Sequence, residues 1–404
     1  MFAKCILKTT NSWQGISNMF KHLILGIFLG LITQSSYADA NTTKDIKTLS
    51  DAASNGDTKA LQKLIIFANQ GDAYAQFILG VTYNFGEGVP RDYTQAEEWY
   101  RKSAKQGNAK SQMNLGIIYA NGQGVPQDYI QAVSWIRKAA DQGYANAQNA
   151  LGQMYYFGQG VPQDYTQAMS LYRKAADQGL DQAQSLLGLM YANGSGVTKD
   201  YSQAVIWLRK AAEQGHMDSQ GALGHLYFTG QGIPQDYTQA MSWFRKAAEQ
   251  GSAKAQYALG AMFSNGQGVT KDFSQSANWL RKAAEQGNTD AQLNLGVMYN
   301  NGQGVSQDYA QAVNWYRKAA EQGNVLAQSN LGLMYSLGQG VQINNPAAFI
   351  LWSLSAKNNP TEQLIPTEQL IKSRNIAATK ISSSEYSNAK EFIAQWKVGT
   401  PFPF

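Results

Sequence analysis

The sequence predicts an all-α chain, a right-handed superhelical solenoid of helix-turn-helix repeats (an α/α superhelix). Three observations carry that expectation. The dipeptide Leu-Gly begins at Leu79, Leu115, Leu151, Leu187, Leu223, Leu259, Leu295 and Leu331, always 36 residues apart and with no insertion. Each period holds two apolar stripes at helical spacing, and glycine, proline and aspartate punctuate the joints between them. A fixed period of this size marks stacked units that bury a core only against their neighbours, so it overrides the two or three separate domains that 404 residues would suggest.

The chain opens with Lys4, Lys8, Lys21 and His22, with no acid before Asp39, then the apolar run "LILGIFLGLI" and "SSYADA". This is the pattern of a secretory leader, taken here as residues 1–38, with cleavage after Ala38 or Ala40. Translation from Met19 would give a compact leader with the same mature chain. The ten-residue apolar core is short of the roughly 20 residues that span a bilayer, which disfavours a retained anchor. Removing residues 1–38 takes away three lysines and no acid, so the net charge falls from +5 to +2. The one cysteine, Cys5, precedes the apolar run, where a lipid-modified cysteine would have to follow it. A mature chain without cysteine has no disulfides to draw on and must be held together by packing.

Residues 39–71 are read as a pair of N-terminal capping helices, and residues 72–359 as eight 36-residue repeats. The first helix of a repeat shows in "AYAQFILGVTYNFG", where Ala75, Leu79, Thr82 and Tyr83 share one face; Ala147, Leu151, Met154 and Tyr155 repeat the arrangement. The second shows in "DYTQAMSWFRKAAEQG", with Ala240, Trp243, Phe244, Ala247 and Ala248 on one stripe. The glycine after each core leucine, such as Gly152, sits inside a helix, where it costs about 1 kcal/mol relative to alanine; close approach of the paired helix is the expected reason. Between the helices, "GQGVPQDYTQA" places Gly158 and Gly160 where left-handed backbone stops the first helix. Asp164 is expected to cap the second, with Gln167 reaching back in a capping box. The Asp-x-x-Gln spacing returns at Asp92, Asp128, Asp200, Asp236, Asp272 and Asp308. A phosphate-binding reading of the glycines fails, since no third glycine opens the helix and no Gly-Lys-Ser/Thr follows.

Residues 360–398 are read as two C-terminal capping helices, the second with Ser382 and Glu385 spaced as a capping box and Trp396 closing the core. The tail, residues 399–404 ("TPFPF" after Gly399), is expected to fray.

The segment "AQSLLGLMYANGSGVTKDYSQAVIWLRKAAEQG", residues 183–215, resembles the repeat of the Sel-one-like repeat (SLR) family, tetratricopeptide-like helical solenoids. The resemblance covers roughly residues 57–360. The last copy departs from it, with Asn344-Asn345 in place of Asp-Tyr and Leu351-Trp352 in place of Trp-aromatic. The resemblance implies a protein-interaction scaffold in envelope complexes, signalling or host contact. Cysteine-rich relatives have been linked to β-lactam hydrolysis, but their paired cysteines are absent here.

Catalysis is poorly supplied: beyond the leader the histidines are His216 and His225, nine residues apart with no carboxylate pair or cysteine nearby, and both are expected on a solvent-facing helix surface. No catalytic residue, metal or cofactor is assigned; the competing reading is an envelope hydrolase or peptidoglycan-binding protein. The Arg-Lys pairs from Arg101-Lys102 to Arg317-Lys318 raise nucleic-acid binding, but Arg137 precedes Asp141 by four residues, as Arg209 does Glu213 and Arg317 does Glu321. That reads as a neutralised, solvated face, with no nucleic-acid partner and, after leader removal, no membrane partner. A monomer is expected, binding a protein or peptide.

Counted from the glycine that opens each repeat, offsets +3, +6, +10 and +13 fall opposite the core offsets of the first helix. In tetratricopeptide-like solenoids this side lines the concave surface. The positions expected to bind a partner are Tyr74, Phe77, Met113, Asn149, Gln153, Tyr156, His225, Phe228, Tyr257 and Leu293, with the outer offsets exposed. At offset +10, where Val81, Ile117 and Val297 sit, packing between repeats competes with that reading.

Overall fold

The computed structural model of the protein describes residues 40–359 and 367–404. The expected leader and the start of the C-terminal capping pair, residues 360–366, lie outside the described residues. The chain divides into two compact units that meet in sequence at His216 and Met217. In the first, α1 (Ala40–Ser54) and α2 (Thr58–Asn69) precede four helical hairpins: α3 (Ala73–Phe85) with α4 (Tyr93–Lys105), α5 (Ala109–Asn121) with α6 (Tyr129–Asp141), α7 (Ala145–Phe157) with α8 (Tyr165–Asp177), and α9 (Asp181–Asn193) with α10 (Tyr201–Glu213). The second unit contains α11 (Met217–Thr229) with α12 (Tyr237–Glu249), α13 (Ala253–Asn265) with α14 (Phe273–Glu285), α15 (Thr289–Asn301) with α16 (Tyr309–Glu321), and α17 (Val325–Leu337) with α18 (Asn345–Lys357), then α19 (Thr367–Ala378) and α20 (Ser383–Gln395). Every element among the described residues is helical. None of these helices is long and apolar enough to cross a membrane.

Within each hairpin the Leu-Gly glycine touches the second helix. A Cβ on Gly152 would lie 2.7 Å from Cε1 of Tyr172, and one on Gly296 would lie 2.6 Å from Cδ1 of Tyr316. The side chain under the glycine changes from copy to copy: Tyr100, Ile136, Tyr172, Leu208, Phe244, Leu280, Tyr316 and Trp352.

The turn is held by backbone. Gly158, at φ 68°, is the left-handed C-cap of α7, and its N–H donates to the Met154 carbonyl. Gly160, at φ 70°, does a second job: a Cβ there would run into the Tyr129 carbonyl at the start of α6, in the preceding repeat. Asp164 caps α8 as expected, its Oδ1 accepting from Thr166 N at 2.9 Å and Gln167 N at 3.0 Å. The expected capping box does not close, because the Asp164 N–H donates instead to the Tyr155 carbonyl at 2.9 Å. The same bond runs from Asp92 to Tyr83, Asp128 to Tyr119 and Asp308 to Tyr299, leaving the glutamine nothing to reach.

Buried amides link one repeat to the next. Gln112, 4% exposed, donates to the Ala104 carbonyl of α4 at 3.1 Å and accepts from Gln142 Nε2 at 2.7 Å. Gln256 does the same with Ala248 and Gln286 in the second unit, at 3.1 and 2.8 Å. A buried carboxamide with both ends satisfied fixes register where an apolar side chain would slide.

Arg101 is ion-paired with Glu97 one turn back, but among the described residues neither Arg137 with Asp141 nor Arg317 with Glu321 forms the ion pair that the spacing suggested. Arg137 instead donates to Tyr155 Oη of the next repeat at 2.7 Å, as Arg173 does to Tyr191 at 2.6 Å. The neighbouring lysine folds back over a tryptophan, Lys138 standing 4.0 Å from the Trp135 ring centre.

At the C-terminus the Ser382–Glu385 capping box forms, and Trp396 is buried. The tail does not fray. Phe402 is buried, stacked 5.5 Å from Trp396 and 5.3 Å from Phe404, and its N–H donates to Glu321 Oε1 at 3.0 Å. Three aromatic rings remove enough surface from water to outweigh the ordering of a short tail, which the polar and proline-rich letters conceal.

Two stability tests follow from these contacts. Gly152→Val forces Tyr172 aside and is expected to cost roughly 1–3 kcal/mol by overpacking, whereas Gly221→Ala, with open space beside it, gains up to about 1 kcal/mol of helix propensity. Urea melts of the two variants should move in opposite directions. Phe402→Ala is expected to lose about 2 kcal/mol, below the usual range for a fully enclosed ring because the tail relaxes, and to red-shift Trp396 emission.

Candidate functional site

The first helix of each repeat is covered on more sides than its own hairpin requires. Offset +9 faces the paired helix and offset +5 reaches back to the preceding one, while residues at +6 and +13 pack against the next repeat in several copies. Met113 packs with Ala147 and Leu151, Tyr257 with Ala291 and Leu295, and Phe228 with Ala255 and Leu259, each pair one repeat apart. Leu293 joins the cluster around Leu331, and Asn149, fully buried, donates to Gln182 Oε1 of the following repeat at 2.9 Å. Tyr74 is buried beside Ile46, Leu64 and Trp99.

Six of the ten positions expected on a binding surface are therefore buried: Tyr74, Met113, Asn149, Phe228, Tyr257 and Leu293. Phe77, Gln153, Tyr156 and His225 are half-buried. The expectation that the outer offsets are exposed is corrected, because stacking at a 36-residue period seals the +6 and +13 flanks. What stays less covered is an interrupted stripe at offsets +3, +7, +10 and +14, closed at Tyr74, Asn114, Leu186, Ala261 and Asn294 and half-buried at Gln153 and His225. Leu189 is half-buried there and Leu333 exposed.

Charges on this stripe feel its partial burial. Desolvation holds the Lys110 ammonium and the His225 imidazole below their ordinary pKa values and raises the Asp290 carboxyl. His225 is thus a half-buried group favouring its neutral form, not one on a freely solvated face as expected, and His216 lies half-buried in the turn before α11. Among the described residues no three His, Cys, Asp or Glu side chains converge as a metal site would require.

One widening of the stripe was not anticipated. Between the first two repeats of the first unit lies a solvent-open hollow of about 150 Å³, bordered by Phe85, Tyr93, Asn114, Ile117 and Ile118, with Tyr100 beneath its floor. Tyr100 is fully buried, and its hydroxyl has no hydrogen-bond partner. Burial pushes its pKa far up, and the nearby Asn114 side chain offsets part of that rise without reaching hydrogen-bonding geometry. The equivalent place two repeats on, with Tyr172, Leu186 and Leu189, encloses only about 30 Å³. The signal available in the sequence was the alternation of tyrosine with aliphatic residues under the Leu-Gly glycines.

Eight consecutive segments, 73–108, 109–144, 145–180, 181–216, 218–252, 253–288, 289–324 and 325–360, match the Sel1 repeat model. No curated protein matches the chain. Among solved structures, a Sel1 repeat protein from Oxalobacter formigenes is 35% identical, with 86% of this chain and 98% of that one covered at a TM-score of 0.62. A protective antigen present in uropathogenic Escherichia coli strains, displaying an SLR fold, is 30% identical over 89% of this chain and 94% of its own, with a TM-score of 0.58. Sel1 repeat proteins typically act as protein–protein interaction scaffolds, and the fold is generally non-catalytic. With eight tandem matches across most of its length and the hairpins, turn glycines and stacked core to go with them, the chain belongs to the Sel1 repeat family.

Proposed function

We propose that the chain is an exported, non-catalytic scaffold of the bacterial envelope that holds a protein or peptide partner along the interrupted stripe of its first helices. The observation that carries this reading is a contrast between surfaces. Beneath the stripe the same leucines, glycines and glutamines recur in copy after copy, while offset +3, buried only at Tyr74, reads Lys110, Asn146, Gln182, Asp218, Lys254, Asp290 and Leu326 in the other seven copies. A surface that varies over an invariant frame is where a solenoid distinguishes one partner from another. The leader pattern and the likeness to a protective antigen support a place outside the cytoplasm. Roles in signalling, envelope assembly or host contact all fit such a scaffold.

Cross-linking in intact cells tests the partner surface. Gln153→Ser and Leu189→Ser, both half-buried on the stripe of the first unit, are expected to cost no more than about 1 kcal/mol each. Together they should weaken the cross-linked partner more than tenfold. Phe228→Ser and Tyr257→Ser, in contrast, should each cost about 3 kcal/mol by opening the joints between repeats. Unchanged cross-linking in the stripe variant would reject the assignment. Export is tested by fractionation and N-terminal sequencing: the expected product is a soluble chain beginning at Asp39 or Asn41, and an intact apolar run in the membrane fraction would contradict it.

A further inference from the structure

We infer that the cleft holding the C-terminal tail is a docking site for an extended aromatic-proline-aromatic segment of a partner polypeptide, closed in the free protein by residues 400–404. It shares no residue with the stripe of first helices, so it gives the scaffold a second, independent point of attachment. Its walls are Arg317 and Glu321 of α16, Gly323 in the turn that follows, Tyr335 of α17, and Phe392 and Trp396 at the end of α20.

The tail is held in a way that another chain can reproduce. The N–H groups of Gly399 and Phe402 donate to the Glu321 carbonyl at 2.7 Å and to its carboxylate at 3.0 Å, and main-chain donors of this kind belong to any extended segment. The rings supply the selectivity. Phe402 stacks on Trp396, while Phe404 meets Tyr335 edge-on at 5.5 Å with the Arg317 guanidinium 5.9 Å from its centre. Pro401 and Pro403 are exposed; they bring no N–H that the cleft would have to satisfy, and their fixed φ holds the segment extended before it binds, which lowers the ordering cost.

Comparison along the second unit separates docking from simple closure of the fold. The preceding joint carries the same set, Arg281, Glu285, Gly287 and Tyr299, without a tail. There Arg281 donates to Tyr299 Oη at 3.1 Å, and a Cβ on Gly287 would meet nothing within 4 Å among the described residues, whereas one on Gly323 would lie 3.0 Å from Val398. Tyr299 is half-buried, and Tyr335 under the tail is 5% exposed. A joint of this kind therefore closes by itself, and the tail is laid over it. The last bond of α20, from the Trp396 N–H to the Phe392 carbonyl at 2.8 Å, does not involve the tail either. With Gly399 at φ 90° as a pivot, residues 400–404 can swing clear while every helix keeps its own bonds. A tethered competitor is present at high effective concentration, so a partner displaces it with a better-fitting segment or with further contacts elsewhere on the scaffold.

The test uses the mature full-length protein, its Phe402→Ala/Phe404→Ala variant, and end-capped, fluorescently labelled hexapeptides followed by anisotropy. Gly-Thr-Pro-Phe-Pro-Phe is expected to bind the variant at least tenfold more tightly than the parent, whose own tail competes, and to shift Trp396 emission back to the blue. Gly-Thr-Pro-Ala-Pro-Ala should not bind, and Gly-Thr-Gly-Phe-Gly-Phe should bind at least threefold more weakly than the proline peptide. Glu321→Ala added to the variant should weaken binding at least fivefold. Phe404→Ala alone keeps Phe402 on Trp396, should melt close to the parent and is expected to give an intermediate affinity, so it supplies the measurement if the double variant melts below the assay temperature. Absence of binding to either variant, meaning a tail that only closes the fold, overturns the proposal. So does equal affinity in parent and variants, or binding indifferent to Glu321→Ala, which would place the peptide elsewhere. Equal affinity for the glycine peptide overturns the proline part of the chemistry. Because Gln153 and Leu189 lie in the first unit, loss of cross-linking in their variant still upholds the stripe if this cleft fails.

Discussion

Each hairpin closes on a missing side chain. The glycine after the core leucine lets the first helix rest directly on a ring or branched side chain of the second, Gly152 on Tyr172 and Gly260 on Leu280. The remaining bonds are drawn to that spacing. Only with the helices this close does the turn come back far enough for the Asp164 N–H to reach the Tyr155 carbonyl, and for Gly160 to lie against the start of α6. A methyl group at the first contact would disturb the turn and the joint to the neighbouring repeat as well as the hairpin. Helix propensity alone would never place glycine there. Close packing does, because dispersion and apolar burial summed over a whole helix face exceed the cost of one poor helix former.

Much of this was legible in the sequence, for a physical reason. Period, apolar stripe, turn glycine and aspartate cap are local properties, and local spacing fixes them. The hairpins, the left-handed backbone at Gly158 and the cap at Asp164 follow from letters a few residues apart. Most of the misreadings concern contacts one repeat away. Helical periodicity locates the face that meets the paired helix, but it is silent about the two flanks that a stacked array also covers. Met113, Tyr257 and Leu293 were therefore placed on a surface although they are core. Arg137 was paired with Asp141 on its own helix, when the Tyr155 hydroxyl of the next repeat offers a bond and a ring face together. The glutamine that would have completed a capping box had no vacancy to fill, a fact visible only once the path of the turn is known.

The buried glutamines deserve weight equal to the leucines. In a chain without disulfides, and with joints made largely of alanine, leucine and methionine, apolar contact alone would allow one repeat to rotate or slide on the next at little cost. Gln112 and Gln256 each tie a carbonyl of the preceding second helix to an amide of their own, so displacement in either direction strands a buried polar group. Specific geometry at the joint is then set by hydrogen bonds and its strength by apolar area.

Because the same bonds recur with the same partners one period later, a repeat carries no label of its position at its joints. Gln148 meets Ala140 as Gln112 meets Ala104, and Arg173 meets Tyr191 as Arg137 meets Tyr155. Duplication or loss of a whole 36-residue block in the gene would bring matching donors and acceptors to the new junction, whereas loss of a single residue would misalign every bond beyond it. Array length is thereby open to change by recombination in whole blocks, and the uninterrupted period of the sequence is the trace such a constraint leaves.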